Sequence, residues 1–374
     1  MTLSYDTVVI GAGIVGAACA CELAHAGMRT AIVEADIIGG TATAAGMGHI
    51  VVMDDSPAQL ALTQYSQSLW NELALRLPAN VEYDRCGTLW IAADEEEMRE
   101  VRRKQALYAN VNVATEVLYQ QELVEAEPNL RRPLAGALLV PSDAVLYPPC
   151  AAAYLAERAQ QAGAKLYLGK IVTSGSKGRV ILNDGSTISA TYIIHATGAS
   201  ATGLIPHLPI RKRKGHLIIT DRYPYFVRHQ LVELGYLKSA HSIASDSVAF
   251  NVQPRRTGQL LIGSSRQYDN ESPGVDQGIL SAMLARAIDY MPSLGDLSSI
   301  RVWTGFRAAT PDKLPLIGPT EDPTVFLATG HEGLGITTSL ATARLLADHL
   351  LGRGSAIPPQ PYLPGRFAHQ VAYA

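Results

Sequence analysis

Thr7-Val8-Val9-Ile10-Gly11-Ala12-Gly13-Ile14-Val15-Gly16 is a short β-branched run that breaks into three spaced glycines. An apolar-periodic stretch follows (Ala17, Ala18, Ala20, Leu23, Ala24), then Gly27, a second run over Thr30-Ala31-Ile32-Val33, and Glu34. The order predicts strand, tight turn, helix, strand and acid, the unit that holds a dinucleotide. Gly11 permits the sharp turn. Gly13 lets the backbone approach a pyrophosphate, with Ile14 and Val15 opening the helix behind it, and Gly16 lets that helix lie close on the sheet. The helix N-terminus presents amides and a positive dipole end to phosphate. Glu34, eighteen residues past Gly16, stands where a carboxylate accepts hydrogen bonds from ribose hydroxyls, with Ala35 beside it.

The rest of the chain sets limits on that reading. At 374 residues it has room for one or two domains, and its 47% hydrophobic and 17% charged residues are ordinary for a globular protein. A net charge of −3 argues against a nucleic-acid partner. The four cysteines (Cys19, Cys21, Cys86, Cys150) form no CxxC pair, which fits reduced thiols in a cytoplasmic chain with no metal cluster of its own. The opening MTLSYD lacks the basic patch of a signal peptide, and no stretch is long and apolar enough to span a bilayer. Expected partners therefore include no nucleic acid, and no transmembrane segment is expected.

Helical spacing is read over 57–77, 94–107, 148–161, 276–291 and 337–351, the charged stretch 94–107 being taken as a solvated helix. A hairpin turns at Asn183-Asp184-Gly185 and leads into the strand Tyr192-Ile193-Ile194-His195, which ends at Ala196-Thr197-Gly198. From about 213 to 268 the pattern alternates like an antiparallel sheet. The expected fold class is α/β: a Rossmann-like nucleotide-binding domain built from discontinuous segments, with an inserted antiparallel β-sheet domain for the substrate. The expected division gives 1–80, 140–212 and 300–374 to the first, and 81–139 and 213–299 to the second.

Three further segments carry a resemblance: Thr41-Ala42-Thr43-Ala44-Ala45-Gly46-Met47; Ala196-Thr197-Gly198; and Gly305-Phe306-Arg307-Ala308-Ala309-Thr310-Pro311 together with Gly330-His331-Glu332-Gly333-Leu334-Gly335-Ile336-Thr337. With the opening motif, they resemble the FAD-dependent D-amino-acid oxidase family, in its glycine oxidase and sarcosine oxidase branch, along the full length of the chain. The resemblance implies an FAD enzyme that oxidises the C–N bond of a small amino or imino acid to an imine. D-proline, hydroxy-D-proline, sarcosine and glycine are the substrate types it suggests. The Gly330–Thr337 segment is similar to the flavin subunits of hydroxyproline dehydrogenase complexes, which implies a second flavoprotein and an iron–sulfur subunit as candidate partners. Two other readings stay open at this point. One is an NAD(P)-dependent dehydrogenase, which leaves the Gly330–Thr337 turn unexplained. The other is a non-catalytic flavin-holding electron-transfer subunit.

The resemblance also implies site residues. Thr41 and Ala44 are placed toward the pyrophosphate, Ala45, Gly46 and Met47 beside the isoalloxazine, and Val172, Ala196, Thr197 and Gly198 along the cofactor. Gly330, Gly333, Leu334, Gly335, Ile336 and Thr337 form a turn whose following helix points its positive end at the flavin. Such an end stabilises the reduced ring by roughly 0.3–2 kcal/mol, and about 1.4 kcal/mol is about 30 mV for two electrons. Arg307 matches the family's carboxylate-binding arginine, because a guanidinium gives two parallel N–H bonds to a carboxylate. His49 is a candidate for the amine proton or for a structural role. His331 reads as a turn-stabilising residue, and the basic run Arg211-Lys212-Arg213-Lys214 as a solvated edge. Glycine oxidase has an arginine where this chain has Gly333 and a tyrosine where Asn251 falls, which implies a thinner carboxylate clamp. Sarcosine oxidase attaches its flavin through a cysteine at the place of Gly305, so non-covalent FAD is expected.

Overall fold

The computed structural model describes residues 3–235 and 246–367. The remaining parts of the expected domain segments lie outside the described residues.

The first strand (Leu3–Ile10) forms because a β-branched run with both faces covered favours a buried parallel strand. Val8, Val9 and Ile10 are all buried. It pairs in parallel with Thr30–Glu34 on one side and Thr187–His195 on the other. Val325–Thr329 adds in parallel beyond the latter, Lys165–Leu168 beyond the former, and Leu316–Pro319 closes one edge antiparallel. Arg179–Leu182 and Val172–Ser176 complete the eight strands of this sheet. The chain thus returns to its opening sheet from residues nearly two hundred and more than three hundred positions away.

The helix Ile14–His25 lies on this sheet between Pro148–Gln161 and Gly335–Leu350. Its alanines (Ala17, Ala18, Ala20, Ala24) are buried and let three helices approach closely. Pro57–Ala74 packs on the last helix, where buried Trp70 donates to the carbonyls of Ile336 and Thr337 at 3.2 Å. Ser66 Oγ accepts from Ala341 N. The start of the last helix is therefore fixed by side chains about 270 residues earlier.

A second sheet of eight strands runs in the order Ser299–Ala309, Arg211–Thr220, Leu260–Arg266, Ser247–Pro254, Gln230–Glu233, Thr88–Ala92, Gly136–Val140 and Glu116–Tyr119. Its pairing is antiparallel except between Gln230–Glu233 and Thr88–Ala92, which run parallel. The helix Gln277–Tyr290 covers one face through Met283, Ala287 and Tyr290, with Tyr290 stacked on Phe250 at 4.7 Å. The strand Ser299–Ala309, which the expected division gives to the nucleotide-binding segments, is hydrogen-bonded along its length to Arg211–Thr220. It meets the first unit at Gly305, where an added Cβ would collide with Ala45 Cβ.

No helix among the described residues is long and apolar enough to cross a membrane. The helix Glu95–Asn110 differs from its solvated reading on one side: Lys104 is fully buried, paired with Asp54 and set against the ring of Trp90.

Candidate active site

The opening turn builds as its glycines predict. Gly11 has φ +99°, and a Cβ there would lie 2.7 Å from Ala196 O. A Cβ on Gly16 would strike Gly11 O, so the helix can sit this close only with glycine at that position. The Glu34 carboxylate is held at the end of its strand by Ala12 N (2.6 Å) and Asp36 N (2.9 Å). Thr43 Oγ1 accepts from Ile14 N at 3.0 Å and lies 3.2 Å from the place of a Gly13 Cβ. The small-residue loop is thereby tied to the helix N-terminus by Thr43, a role that the sequence reading gave to no residue.

From this turn a continuous cavity of about 950 Å³ runs to the second sheet. Gly11, Gly13, Glu34, Ala35 and Val172 line one end, with Lys170 and Ile171 beside them. Ile14, Val15, Thr41, Ala45, Gly46, Met47, Ala196, Thr197 and Gly198 line its middle. Gly330, Gly333, Leu334, Gly335, Ile336, His49, Asn251 and Arg307 line the far end. Three expected residues lie outside the wall. Gly16 is a packing contact under the turn, and Ala44 points to solvent from a one-turn helix (Thr41–Ala44). Thr337 is spent on structure: its Oγ1 donates to His49 O at 2.8 Å and accepts from Val51 N.

At the far end, Arg307 is enclosed, and Nη1 donates to Ser265 O at 3.0 Å. Its guanidinium lies over Gly215, where an added Cβ would stand 2.5 Å from Nη1. Burial pushes the guanidinium down to about 10, and the nearby Arg213 charge acts in the same direction. His49 is pushed down to about 4, by burial first and by the Arg307 charge as well, so its imidazole is neutral at pH 7. His331 is pushed down to about 3 by burial, and its Nε2 is 2.9 Å from Thr342 Oγ1 on the last helix. It ties the turn to the helix, as a turn-stabilising residue should.

These features fit an elongated dinucleotide carrying a flat ring. The glycines leave a cradle that a Cβ would fill, the carboxylate stands at the ribose end, and the helix beginning at Gly335 directs its N-terminus into the ring end. The chain matches the FAD-dependent oxidoreductase family termed DAO over residues 6–349. It belongs to that family. A glycine oxidase of Geobacillus kaustophilus is 29% identical over 378 residues, covering 97% of each chain. A D-amino acid dehydrogenase of Bradyrhizobium diazoefficiens is 26% identical, covering 83% of this chain and 74% of the relative. The solved structure of the Geobacillus glycine oxidase superposes with a TM-score of 0.87 at 27% identity, covering 98% of this chain and 99% of that one.

This FAD-dependent oxidoreductase thus excludes the nicotinamide reading, and the Gly330–Thr337 turn has the place that reading left empty. The solvated-edge reading of the basic run holds for half of it. Arg211 and Lys212 pair with Asp269 and Glu271 at the surface. Arg213 and Lys214 are buried: Arg213 pairs with Glu332, and Lys214 Nζ donates to Gly274 O at 2.6 Å. Glu332, to which the sequence reading gave no role, sits at φ +56° in the turn, and its N–H donates to Ala308 O. Arg266 is a third guanidinium in the same wall. Three guanidinium groups, from Arg213, Arg266 and Arg307, thus line the cavity from strands of the second sheet.

Proposed function

We propose that this flavoenzyme oxidises the C–N bond of an amino or imino acid whose carboxylate is held by Arg307. The observation that carries this reading is the enclosed guanidinium of Arg307 at the ring end of the cavity, in a pocket made for it by Gly215. A carboxylate that accepts two parallel N–H bonds from a guanidinium is fixed in direction as well as in charge, so the neighbouring C–H is aimed rather than merely bound. The names of the relatives, a glycine oxidase and a D-amino acid dehydrogenase, support the same substrate class.

FAD, when bound, supplies the two-electron acceptor: the substrate loses a hydride from carbon and a proton from nitrogen and becomes an imine. The chain's residues divide the remaining work. Gly11, Gly13 and the first-turn amides of the Ile14–His25 helix would hold the pyrophosphate, and Glu34 would hold the ribose. The loop over Thr41–Met47 and the turn over Gly330–Ile336 would flank the ring, and the N-terminus of the last helix would favour negative charge on it. His49 is neutral at pH 7 and can accept a hydrogen bond or a proton on the buried Nδ1, which has no partner among the described residues. Asn251 Oδ1, also buried and without a partner among the described residues, is a second acceptor that can orient the amine. Gly305 leaves no thiol for attachment, and its contact with Ala45 leaves no room for one, so the cofactor is held without a covalent bond.

Anaerobic addition of amino acids to the purified protein tests the reading. Loss of the visible flavin absorbance with at least one α-amino or α-imino acid is the expected result. Retention of full absorbance across a panel of D-, L- and N-methyl amino acids would remove it.

A further inference from the structure

The loop over Thr41–Met47 lies between the two sheets and is fastened to both. Its backbone bonds stay within residues 40–46: the N–H groups of Thr43 and Ala44 donate to Gly40 O, that of Ala45 to Thr41 O and that of Gly46 to Thr43 O. Among the described residues, two side-chain hydrogen bonds join the loop to the rest of the molecule. On the side of the first sheet, Thr43 Oγ1 accepts from Ile14 N at 3.0 Å. Gly13 stands at the cap position of that helix and has no side chain to offer, so Thr43 supplies from a distance the acceptor that a capping residue carries. On the side of the second sheet, Gln253 Nε2 donates to Met47 O at 2.6 Å, across 206 residues of sequence. Gln253 belongs to the strand Ser247–Pro254.

Gln253 is a costly residue for packing alone. It is 1% exposed and lies behind the cavity wall, and its Oε1 is buried with no partner among the described residues. An apolar side chain of similar length would fill the same volume without an unpaired oxygen. What the amide adds is the bond to Met47. The second sheet also shapes seats for the loop. Met47 packs with Leu217, Ile219 and Leu261, its Sδ lies 3.2 Å from the place of a Gly263 Cβ, and Ala45 Cβ would stand 2.4 Å from a Cβ on Gly305. Between its two fastenings, the loop puts Ala45, Gly46 and Met47 on the cavity wall.

We propose that Gln253 is a cofactor-positioning residue that acts through Met47 O, and that Gln253 and Thr43 are the two ends of one fastening that holds this loop against FAD. The second sheet, which carries Arg307, thus also helps to retain the cofactor. The inference is independent of which amine the enzyme oxidises.

The test uses the holoenzyme and reads the rate of FAD release, from the rise of free-flavin fluorescence on dilution, without turnover. Gln253→Met keeps an unbranched side chain of similar length and removes the donor together with the unpaired oxygen. Release should be about tenfold faster or more, the effect of a buried carbonyl that loses its donor. Thr43→Val, which keeps the shape and deletes the acceptor at the other end, should act to a similar extent, and Thr43→Ser, which keeps the oxygen, should stay within about threefold of the unaltered protein. Because both bonds hold one loop, the variant carrying Thr43→Val and Gln253→Met together should release FAD no more than about threefold faster than the more affected single variant, whereas independent effects would multiply. Release from Gln253→Met less than about threefold faster than from the unaltered protein, or multiplied effects in the double variant, overturns the inference. Should Gln253→Met fail to fold, the two Thr43 variants read the other end of the same fastening, and equal release from Thr43→Val and Thr43→Ser overturns it.

Discussion

Arg307 depends on a residue that has no side chain. Its guanidinium occupies the volume above Gly215, and even a methyl group there would approach Nη1 to 2.5 Å. Gly215→Ala should therefore displace the anchor while leaving the dinucleotide end, on the other sheet, untouched. Lost alignment at a reacting centre weighs on rate more than on cofactor retention, and a displacement of about 1 Å can cost on the order of 100-fold. The expected outcome is a fall of roughly tenfold or more in kcat/KM with the flavin content per chain unchanged. Equal kcat/KM in the variant would show that the guanidinium is not held as described. Glu332 is the counterpart of this device: a non-glycine residue in the left-handed region, kept there by the Arg213 pair and the Ala308 carbonyl.

At the scale of elements, the turn over Gly330–Gly335 and the helix Gly335–Leu350 are joined by His331 and Thr342. Burial holds the His331 imidazole near 3 against an ordinary value of 6.5. As pH falls below about 6.5 the unfolded chain takes up this proton before the folded one, so stability is lost, by up to about 1.4 kcal/mol per pH unit. Asp143 works in the opposite sense: burial raises it to about 7, so its contribution declines as pH rises toward that value. Comparison with His331→Asn isolates the histidine. The unfolding free energy of the original protein relative to the variant should decline steadily between pH 6.5 and pH 4.5, measured by denaturant titration. A difference independent of pH would mean that the imidazole is not enclosed.

The same scale shows what was legible in the sequence. The strand–turn–helix–strand opening and the hairpin at Asn183-Asp184-Gly185 are set by neighbours in sequence, so their residues announce them. The place of the strand Ser299–Ala309 is decided by pairing with Arg211–Thr220, some ninety residues away, and no local pattern marks that partner. Arg213 and Lys214 read as solvated because charged runs usually are. Their partners, Glu332 and Gly274 O, are 119 and 60 residues distant, and no local pattern marks them. Thr337 is a hydrogen-bonding post for His49 and Val51 rather than a cavity residue, which only the packing of two distant segments decides.

Over the whole molecule, two sheets meet along one cavity, and the contact of Gly305 with Ala45 lies at their junction. The opening glycine turn and Glu34 belong to the first sheet and Arg307 to the second, so the two ends of the cavity draw on different strands. With glycine at 305 and no room beside it, acid precipitation should leave the yellow colour in the supernatant. A yellow pellet would show a covalent link. The separation of the two ends also means that damage to the anchor should be invisible to cofactor content. Steady-state or anaerobic titration of Arg307→Ala against the unaltered enzyme, with the amino acid that reduces the flavin best, tests this account most directly. Truncating one partner of a buried charge pair costs about 2 kcal/mol or more, so the substrate concentration for half-effect should rise about 30-fold or more with the flavin fully retained. An unchanged substrate concentration in a variant that keeps its colour would contradict the account.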